Sequence, residues 1–212
     1  MKAIVLGATG AVGKDLTELL LNDDSFDSVE IFVRRDSGFS NPKLITHVVD
    51  FDNINDWKDL IKGDVAFSCL GTTLKAAGGK EAQYKVDFTY QYEFAKSASE
   101  NGISAYLLVS SAMANSSSSI FYTRMKGELE DAVNKMPFQR ICIVRPPSLI
   151  RKNTDRLNEK IVVPIIKFFN KIGLLKSQTP MDTMVVAKAM LNVAKGTEAS
   201  KIIDGQEINN FA

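Results

Sequence analysis

The sequence predicts an α/β fold in which a three-layer, doubly wound parallel sheet carries helices on both faces. Two observations predict it: short runs rich in β-branched residues alternate with longer segments of helical period, and these short runs are continuously apolar. Such strands are buried on both faces of a parallel sheet, and right-handed crossovers place helices above and below it. With 212 residues, of which 45% are hydrophobic, the chain is long enough to bury a core as one domain.

Each element follows from its local pattern. The fourth strand ends at Gly71. A long helix is predicted from Val86, Tyr90 and Phe94, which share one face, and it ends at Gly102. The predicted strands cover residues 2–6, 29–33, 45–49, 65–70, 106–109, 140–144 and 201–203. The predicted helices cover residues 12–21, 56–61, 82–100, 121–133, 157–175 and 184–194.

Residues 1–212 are predicted to form a single domain. The pattern changes at Pro146, and residues 146–212 are expected to add a small lobe on the substrate side of the sheet. The predicted helix over 157–175 combines aliphatic residues with lysines, which suits a lid, a contact between copies or a helix on a membrane surface. Helices on the faces of the sheet would let two copies pair as a homodimer.

The charge balance and hydropathy argue against several partners. The chain has 26 Lys and Arg against 25 Asp and Glu, a formal net charge of +1. This balance speaks against a nucleic-acid partner bound through a broad basic surface. No apolar run reaches the roughly 18 residues of a spanning helix, so no membrane span is expected. The chain enters its first strand at once, without room for a leader segment, which predicts a cytoplasmic location.

Cysteine and histidine usage limits the chemistry. Cys69 and Cys142 lie in separate apolar runs and form no Cys-x-x-Cys pair, so buried free thiols are expected. His47 is the single histidine, which argues against a histidine-rich metal centre, and no metal is expected. A Ser-His-Asp triad would have to use that one side chain.

A glycine turn joins the first strand to the first helix. Gly7 allows the tight turn, Gly10 lets the backbone approach a pyrophosphate, and Gly13 lets the helix pack against the strand. Free N–H groups at the start of the helix then face the phosphates of a dinucleotide. The residues predicted to bind it here are Gly7, Thr9, Gly10, Ala11, Val12 and Gly13. The alternative is a tight turn without a ligand.

The ends of the second and third strands predict which dinucleotide binds. Arg34 and Arg35 are interpreted as contacts of a 2′-phosphate, which favours NADP(H) over NAD(H). In the alternative, both arginines are solvated and Asp36 holds the ribose. The third strand leads into Asp50 and Phe51, which are also predicted to bind the cofactor. The Asp50 carboxylate would meet the adenine amino group or, equally, cap the loop.

Tyr122 and Lys126 are four residues apart and share one face of a predicted helix. A phenol transfers protons poorly at neutral pH, but a neighbouring ammonium and a cationic nicotinamide ring favour its ionised form. The pair therefore suits proton transfer to or from a carbonyl or alcohol oxygen. Ser110 and Ser111 end the fifth strand, and Ser111 is the predicted hydroxyl for the same oxygen. The same Tyr-Lys spacing also occurs by chance on helix surfaces.

Six short motifs follow one another along nearly the whole chain. They are Gly-Ala-Thr-Gly-x-x-Gly at 7–13, Cys-Leu-Gly-Thr-Thr at 69–73, Ser-Ser at 110–111, Tyr-x-x-x-Lys-Gly-Glu at 122–128, Val-Arg-Pro at 144–146 and Ala-Met-Leu-Asn at 189–192. In this order they resemble the short-chain dehydrogenase/reductase superfamily, most closely its atypical, Tat-interacting-protein-like, NAD(P)H-binding branch.

The resemblance implies a Rossmann fold that binds NADP(H) in the crevice of the sheet. It also implies that Ser111, Tyr122 and Lys126 carry the chemistry, with Lys126 holding the nicotinamide ribose as well. The further residues that it implies beside the cofactor are Leu70, Gly71, Thr72 and Pro146.

These observations leave three hypotheses about function. The leading one is an oxidoreductase that transfers hydride between NADP(H) and a small carbonyl or alcohol substrate. The alternative is a regulatory or scaffold protein that binds NADP(H) with little or no turnover. Two departures motivate it: Asp87 stands where many members of the superfamily carry asparagine, and the spacing from Ser111 to Tyr122 is short. The third, a nucleotide-sugar epimerase or dehydratase, normally needs a larger C-terminal lobe.

Overall fold

A computed structural model describes residues 1–150, 179–197 and 199–212. Its strands are β1 (Lys2–Leu6), β2 (Ser28–Val33), β3 (Leu44–Val48), β4 (Val65–Ser68), β5 (Ala105–Val109), β6 (Arg140–Arg145), β7 (Leu149–Ile150), β8 (Met181–Asp182) and β9 (Lys201–Asp204). Its α-helices are α1 (Ala11–Leu21), α2 (Leu74–Ala77), α3 (Lys80–Tyr84), α4 (Tyr90–Glu100), α5 (Phe121–Val133) and α6 (Thr183–Lys195). A short 3₁₀ segment, Gly205–Phe211, follows β9.

Seven of these strands form one parallel sheet in the order β3-β2-β1-β4-β5-β6-β9. Leu6 at the end of β1 lies opposite Phe32 of β2 on one side and Ser68 of β4 on the other. The connections leave β1 and β4 in opposite directions, which opens a crevice above the carboxyl ends of these two strands. The predicted doubly wound α/β fold is confirmed.

Each face of the sheet has its own hydrophobic core. On one face, α1 and α6 bury Leu16, Leu20 and Met190 against the strands. On the other face, α4 and α5 bury Phe94 and Leu129. The central strands are therefore covered on both sides, which explains why their sequences are continuously apolar.

The helix predicted over residues 82–100 is interrupted. A π-helical turn, Lys85–Thr89, separates α3 from α4. Such a turn inserts one extra residue into the helix and is frequent at functional sites. The four-residue spacing of Val86, Tyr90 and Phe94 did not reveal it, since that spacing is what a regular helix would show. The turn carries Asp87, whose side chain is buried.

The helix predicted over residues 56–61 is wrong. Two 3₁₀ turns, Ile54–Asp56 and Lys58–Leu60, stand in its place. Between them Trp57 is buried, and its indole N–H donates to the carbonyl oxygen of Asp50 at 2.9 Å. So short a segment gains little from helix formation, so the burial of Trp57 determines its path.

The last described elements return to the main layers. β7 pairs with β8, and β9 joins the sheet beside β6. Helix α6 lies against α1, where the Thr183 hydroxyl donates to Oδ2 of Asp15 at 2.6 Å and Lys195 pairs with Asp23 at 2.7 Å. The predicted helix over 157–175 lies outside the described residues. Among the helices that are described, none is long and apolar enough to cross a membrane.

Candidate functional site

The glycine turn between β1 and α1 fits a bound dinucleotide. Gly7 has a φ of 84°, and a Cβ at this position would lie 2.5 Å from the backbone nitrogen of Leu70. A Cβ on Gly13 would lie 2.1 Å from the carbonyl oxygen of Gly7. The turn therefore closes only with glycine at both positions. Helix α1 begins after Gly10 without a side-chain cap, so its first N–H groups are available to phosphate.

A first cavity of about 460 Å³, here called the β2 cavity, lies where β2 ends. It is lined by Gly7, Thr9, Phe32, Val33, Arg34, Arg35, Asp36, Ser37, Phe51 and Leu70. Arg34 and Arg35 are exposed at its rim, and neither pairs with a carboxylate of the described residues. Asp36 is at the same rim, where its Oδ1 accepts from the Gly38 N–H at 3.2 Å. The structure thus brings the predicted arginines and Phe51 together with Gly7 and Thr9.

Asp50 does not line this cavity. Its Oδ1 accepts from the Asp52 N–H at 3.0 Å, and its Oδ2 accepts from the Asn53 side-chain amide at 2.8 Å. These bonds close a local turn. They are the bonds that the loop-cap alternative expects, and they occupy both carboxylate oxygens.

A second cavity of about 250 Å³, here called the β5 cavity, lies on the other side of Leu70. It is lined by Gly10, Ala11, Val12, Cys69, Leu70, Gly71, Thr72, Asp87, Val109, Ser110, Tyr122, Lys126 and Leu149. The two cavities share Leu70 and flank the carboxyl ends of β1 and β4. Both therefore lie in the crevice at the switch point of the sheet, where open α/β sheets bind their ligands.

Lys126 is buried in the β5 cavity and forms an ion pair there. It is 3% exposed, and its Nζ lies 3.0 Å from Oδ1 of Asp87, which is 1% exposed. Burial by itself lowers the pKa of Lys126, but the attraction of Asp87, followed by that of Tyr122 and Glu130, outweighs burial and raises it. The side chain is therefore an ammonium at neutral pH.

Tyr122 lies one turn before Lys126 on α5 and also lines the β5 cavity. It is 39% exposed, so its phenol is accessible from outside. On that side it borders a groove of about 460 Å³, lined by Thr72, Thr73, Leu74, Lys80, Gln83, Ile120, Phe121 and Tyr122. The predicted Tyr-Lys pair thus connects an open groove with the interior of the crevice.

The two serines at the end of β5 are placed differently. The Ser110 hydroxyl is buried, lines the β5 cavity and has no hydrogen-bond partner among the described residues. The Ser111 hydroxyl donates to the Ala112 carbonyl oxygen at 3.3 Å and does not line that cavity. A buried hydroxyl without a partner is costly and suggests a ligand. The structure thus brings Ser110, rather than the predicted Ser111, to Tyr122 and Lys126.

The remaining predicted residues are divided. Leu70, Gly71 and Thr72 line the β5 cavity as expected. Pro146 is buried outside it, with its carbonyl oxygen accepting from the Ala112 N–H at 2.9 Å, and Leu149 lines the cavity instead. Burial raises the pKa of the Cys69 thiol to about 12, so Cys69 is a neutral part of the wall.

Sequence reasoning missed Ser110, Leu149 and the role of Asp87. Alternation along a strand places neighbouring side chains on opposite sides, but it does not say which side faces the crevice. The path of the chain at the end of β5 decides which of the two serines does. Leu149 reaches the crevice through the β7–β8 pair, which joins residues far apart in sequence. Asp87 gave a signal, because it stands where many members of the short-chain dehydrogenase/reductase superfamily carry asparagine.

The family model described as NAD(P)H-binding matches residues 7–164. The fold and the site therefore define an NAD(P)H-binding protein, and the chain belongs to this family. The predicted membership of an NAD(P)H-binding family is confirmed, and a solved structure from the short-chain dehydrogenase/reductase superfamily shares the fold. The matched residues include the glycine turn, both cavities and the Lys126–Asp87 pair.

Relatives in sequence include fungal proteins. The chain is 34% identical to "Protein FMP52, mitochondrial" of Meyerozyma guilliermondii, over 100% of this chain and 95% of that protein. It is 33% identical to the protein of the same name from Candida albicans, over 92% and 88% of the two chains. The predicted cytoplasmic location is therefore wrong, since these names point to mitochondria. That prediction rested on the first residues of the chain, which do not decide its compartment.

Solved structures share the fold at low sequence identity. The Bordetella bronchiseptica enzyme WbmH in complex with NAD⁺ has a TM-score of 0.73 at 15% identity, over 96% of this chain and 74% of that one. A short-chain dehydrogenase/reductase superfamily protein from Agrobacterium tumefaciens with bound NAD has a TM-score of 0.71 at 15% identity, over 97% and 77%. At such identities the likeness extends to the fold alone.

Proposed function

We propose that this protein is an NADP(H)-dependent oxidoreductase acting on a small carbonyl or alcohol substrate. The observation that carries the proposal is the β5 cavity, in which Tyr122, Lys126 and the unpartnered Ser110 hydroxyl line one space beside the glycine turn. Reduction of a carbonyl needs a proton donor and a further hydrogen bond to the oxygen as charge develops on it. When bound, NADP(H) supplies or accepts the hydride.

Three side chains take the roles that this chemistry requires. Lys126 would hold the nicotinamide ribose, and its positive charge would stabilise the negative charge that develops on the substrate oxygen and the phenol during proton transfer. Tyr122 would give its phenol proton to the substrate oxygen in reduction and take it back in oxidation. Ser110 would donate its hydroxyl hydrogen to the same oxygen and orient it. The hydroxyl of Ser111, the serine predicted from the sequence, would then take no part in the reaction.

The β2 cavity supports a preference for NADP(H) over NAD(H). Arg34 and Arg35 stand exposed at its rim without a described carboxylate partner. Guanidinium groups bind a phosphate with several charge-assisted hydrogen bonds. Asp36 at the same rim would instead accept from a free 2′-hydroxyl. We favour the arginines because two cations at one rim outweigh a single carboxylate that already accepts the Gly38 N–H.

The groove beside Tyr122 suits a substrate with an apolar body. Leu74 and Ile120 are exposed large hydrophobic residues on its walls. The Lys80 ammonium lies 5.6 Å from the centroid of the Phe121 ring, at the same groove. An apolar surface open to water next to a reactive phenol is favourable for an apolar ligand. The carbonyl group of the substrate would reach Tyr122 from this side.

Replacement of the phenol tests the proposal. In Tyr122→Phe, we expect NADPH oxidation with a panel of small aldehydes and ketones to fall by about 10²–10⁴-fold. NADPH affinity should stay within about twofold, because the phenol contributes to chemistry more than to cofactor binding. The matched control is Tyr92→Phe, which removes a phenol on α4 outside both cavities. Unchanged turnover in Tyr122→Phe would sink the assigned role.

A pair of serine variants separates the two hydroxyls. Ser110→Ala is expected to lower turnover by about 10²-fold, as the loss of one donor to a developing oxyanion does. Ser111→Ala should change turnover by less than about threefold, because its hydroxyl contacts only a neighbouring carbonyl. The reverse order would restore the assignment made from the sequence.

A regulatory or scaffold protein that binds NADP(H) without turnover is the second candidate function. The observation that favours it is Asp87, which occupies both the ammonium of Lys126 and an amide of the cofactor-lining loop. Under this hypothesis NADPH binds to the purified protein, but no member of a broad panel of carbonyls and alcohols is turned over. Tyr122→Phe then has no measurable effect of any kind.

A further inference from the structure

The carboxylate of Asp87 lies between two hydrogen-bond donors from different parts of the fold. Its Oδ1 is 3.0 Å from the Nζ of Lys126 on α5. Its Oδ2 accepts from the backbone N–H of Thr72 at 2.9 Å, in the loop after β4 that lines the β5 cavity. The side chain is 1% exposed, so the two protein donors are its direct partners. Asp87 is thus a bridge between the ammonium and the loop.

We propose that Asp87 is a positioning residue that fixes the Lys126 ammonium and the Thr72 loop together, so that dinucleotide affinity depends on the charge of this pair. The proposal rests on the proposed function, in which Lys126 holds the nicotinamide ribose. Asp87 itself need not touch the dinucleotide. It acts by placing two groups that line the crevice on either side of it.

The chemistry of the two donors explains why this position carries a carboxylate. A carboxylate offers two acceptor oxygens, whereas an asparagine side chain offers one oxygen and one donating NH₂ group. With asparagine, one of the two donors would face a second donor inside a buried site. Losing a hydrogen bond to a charged group in such a site is costly. The aspartate at position 87 is therefore matched to this pair of partners.

The neighbouring structure holds Asp87 in place. The residue lies in the π-helical turn Lys85–Thr89. The Gln91 side-chain amide donates to the Asp87 carbonyl oxygen at 2.7 Å, and the Ser68 hydroxyl donates to Oε1 of Gln91 at 2.8 Å. This chain of bonds connects the end of β4 to the turn. A fully satisfied buried network of this kind makes the local geometry unique.

Other ionisable groups also face the Lys126 ammonium. Tyr122 and Glu130 on its own helix both interact with it, but Glu130 is paired with Arg145 of β6. On the β4 side, the Cys69 thiol lines the same cavity and is neutral. Asp87 is the described carboxylate in direct contact with the ammonium. Its removal leaves the Lys126 ammonium without a carboxylate in direct contact among the described residues.

The test is a calorimetric titration of the purified full chain with NADPH, from about pH 7 to about pH 9, where the 2′-phosphate keeps its charge, for wild type and Asp87→Asn. Wild-type affinity should be flat over this range, because the pair holds Lys126 as an ammonium. In Asp87→Asn the burial of an unpaired ammonium lowers the pKa of Lys126. Affinity should then be about tenfold weaker at neutral pH and fall further as the pH rises. A purely structural role would not produce that pH dependence.

Two further variants serve as control and as safeguard. Asp23→Asn breaks a more exposed ion pair, with Lys195, outside both cavities and should leave NADPH affinity and its pH dependence unchanged. Lys126→Met combined with Asp87→Asn removes both charges, so the asparagine oxygen is free to accept from Thr72. If Asp87→Asn alone does not fold, this double variant should fold and bind NADPH weakly at every pH alike.

The outcomes are distinguishable. If wild type binds no NADPH at any pH, the proposed function fails with the inference. If wild type binds and Asp87→Asn binds equally at every pH, only the inference is overturned. Failure of the double variant to fold also overturns it, since the shape of Asp87 and not its charge pairing would then matter.

Discussion

The two cavities of the crevice hold their charges in opposite ways. In the β2 cavity, Arg34 and Arg35 are exposed and without a described carboxylate partner. In the β5 cavity, Lys126 is buried and paired with Asp87, which in turn holds a backbone amide. Exposed charges affect the fold little, whereas a buried pair strongly destabilises the protein when one partner is lost. If the arginines select the dinucleotide as proposed, the choice of ligand and the integrity of the fold depend on different ends of one crevice.

The glycine turn belongs to both cavities, and its substitution should have the largest effect. In Gly13→Ala the new Cβ would lie 2.1 Å from the Gly7 carbonyl oxygen, so backbone must move. We expect a loss of at least about 3 kcal/mol in the free energy of unfolding and no NADPH binding. Denaturant unfolding and calorimetry measure both. At Gly79 a Cβ meets nothing within 4 Å, and Gly79→Ala is the control.

Removing the buried cation should damage stability as well as binding. Lys126→Met leaves the Asp87 carboxylate buried with its Oδ1 unpaired, which we expect to cost about 3–5 kcal/mol. Arg35→Met, the matching change in the β2 cavity, should stay within about 0.5 kcal/mol of wild type. Urea unfolding of the two variants measures the difference. Equal losses in the free energy of unfolding of the two variants would contradict the proposed difference between the two cavities.

Removing the exposed cations should change ligand choice alone. In the double variant Arg34→Ala and Arg35→Ala, NADPH affinity should fall by about 10–100-fold, the equivalent of one or two charge-assisted hydrogen bonds. NADH affinity and the free energy of unfolding should not change. Calorimetric titration with both dinucleotides is the measurement. If this variant instead loses NADH affinity, the arginines contact the ribose itself rather than a 2′-phosphate.

The buried pair also predicts a pH dependence of stability. The pKa of Lys126 in the folded protein is raised above its ordinary value of 10.5. The contribution of the pair to the free energy of unfolding is then complete below that ordinary value and is lost as the pH rises through the folded-state pKa. Wild type should therefore lose stability in this alkaline range more steeply than Lys126→Met. Denaturant unfolding along a pH series gives the two slopes, and identical slopes would contradict the pairing.

The smallest effect is expected at Asp50. Its carboxylate accepts from Asp52 and Asn53 in a local turn, so Asp50→Ala should cost about 1 kcal/mol of stability. NADPH affinity should be unchanged, in contrast to the arginine variant. A loss of affinity would return this carboxylate to the adenine, the role that the sequence predicts for it as one of two alternatives.

The sequence predicts the parts of this molecule that depend on local order. The glycine turn, the strands and α5 were visible because apolar periodicity and backbone requirements act within a few residues. The sequence does not predict the orientation of Ser110, the π-helical turn or the bridging role of Asp87. Each depends on elements that meet only in the folded chain, such as α5 and the loop after β4. Arg34 and Arg35 could be proposed from the sequence for the opposite reason. No described carboxylate pairs with them, so their placement does not depend on distant elements.

The contact between α1 and α6 has a consequence for the order of folding. Asp15 and Thr183 are 168 residues apart in sequence, and Asp23 and Lys195 are 172 apart. The first helix, which carries the start of the phosphate-binding turn, thus completes its packing only against nearly the last segment to be synthesised. Such long-range contacts form late and slow the search for the native state. A nascent chain therefore completes the packing of the helix that follows the glycine turn only when its synthesis is almost finished, and until then it exposes apolar surface that chaperones bind.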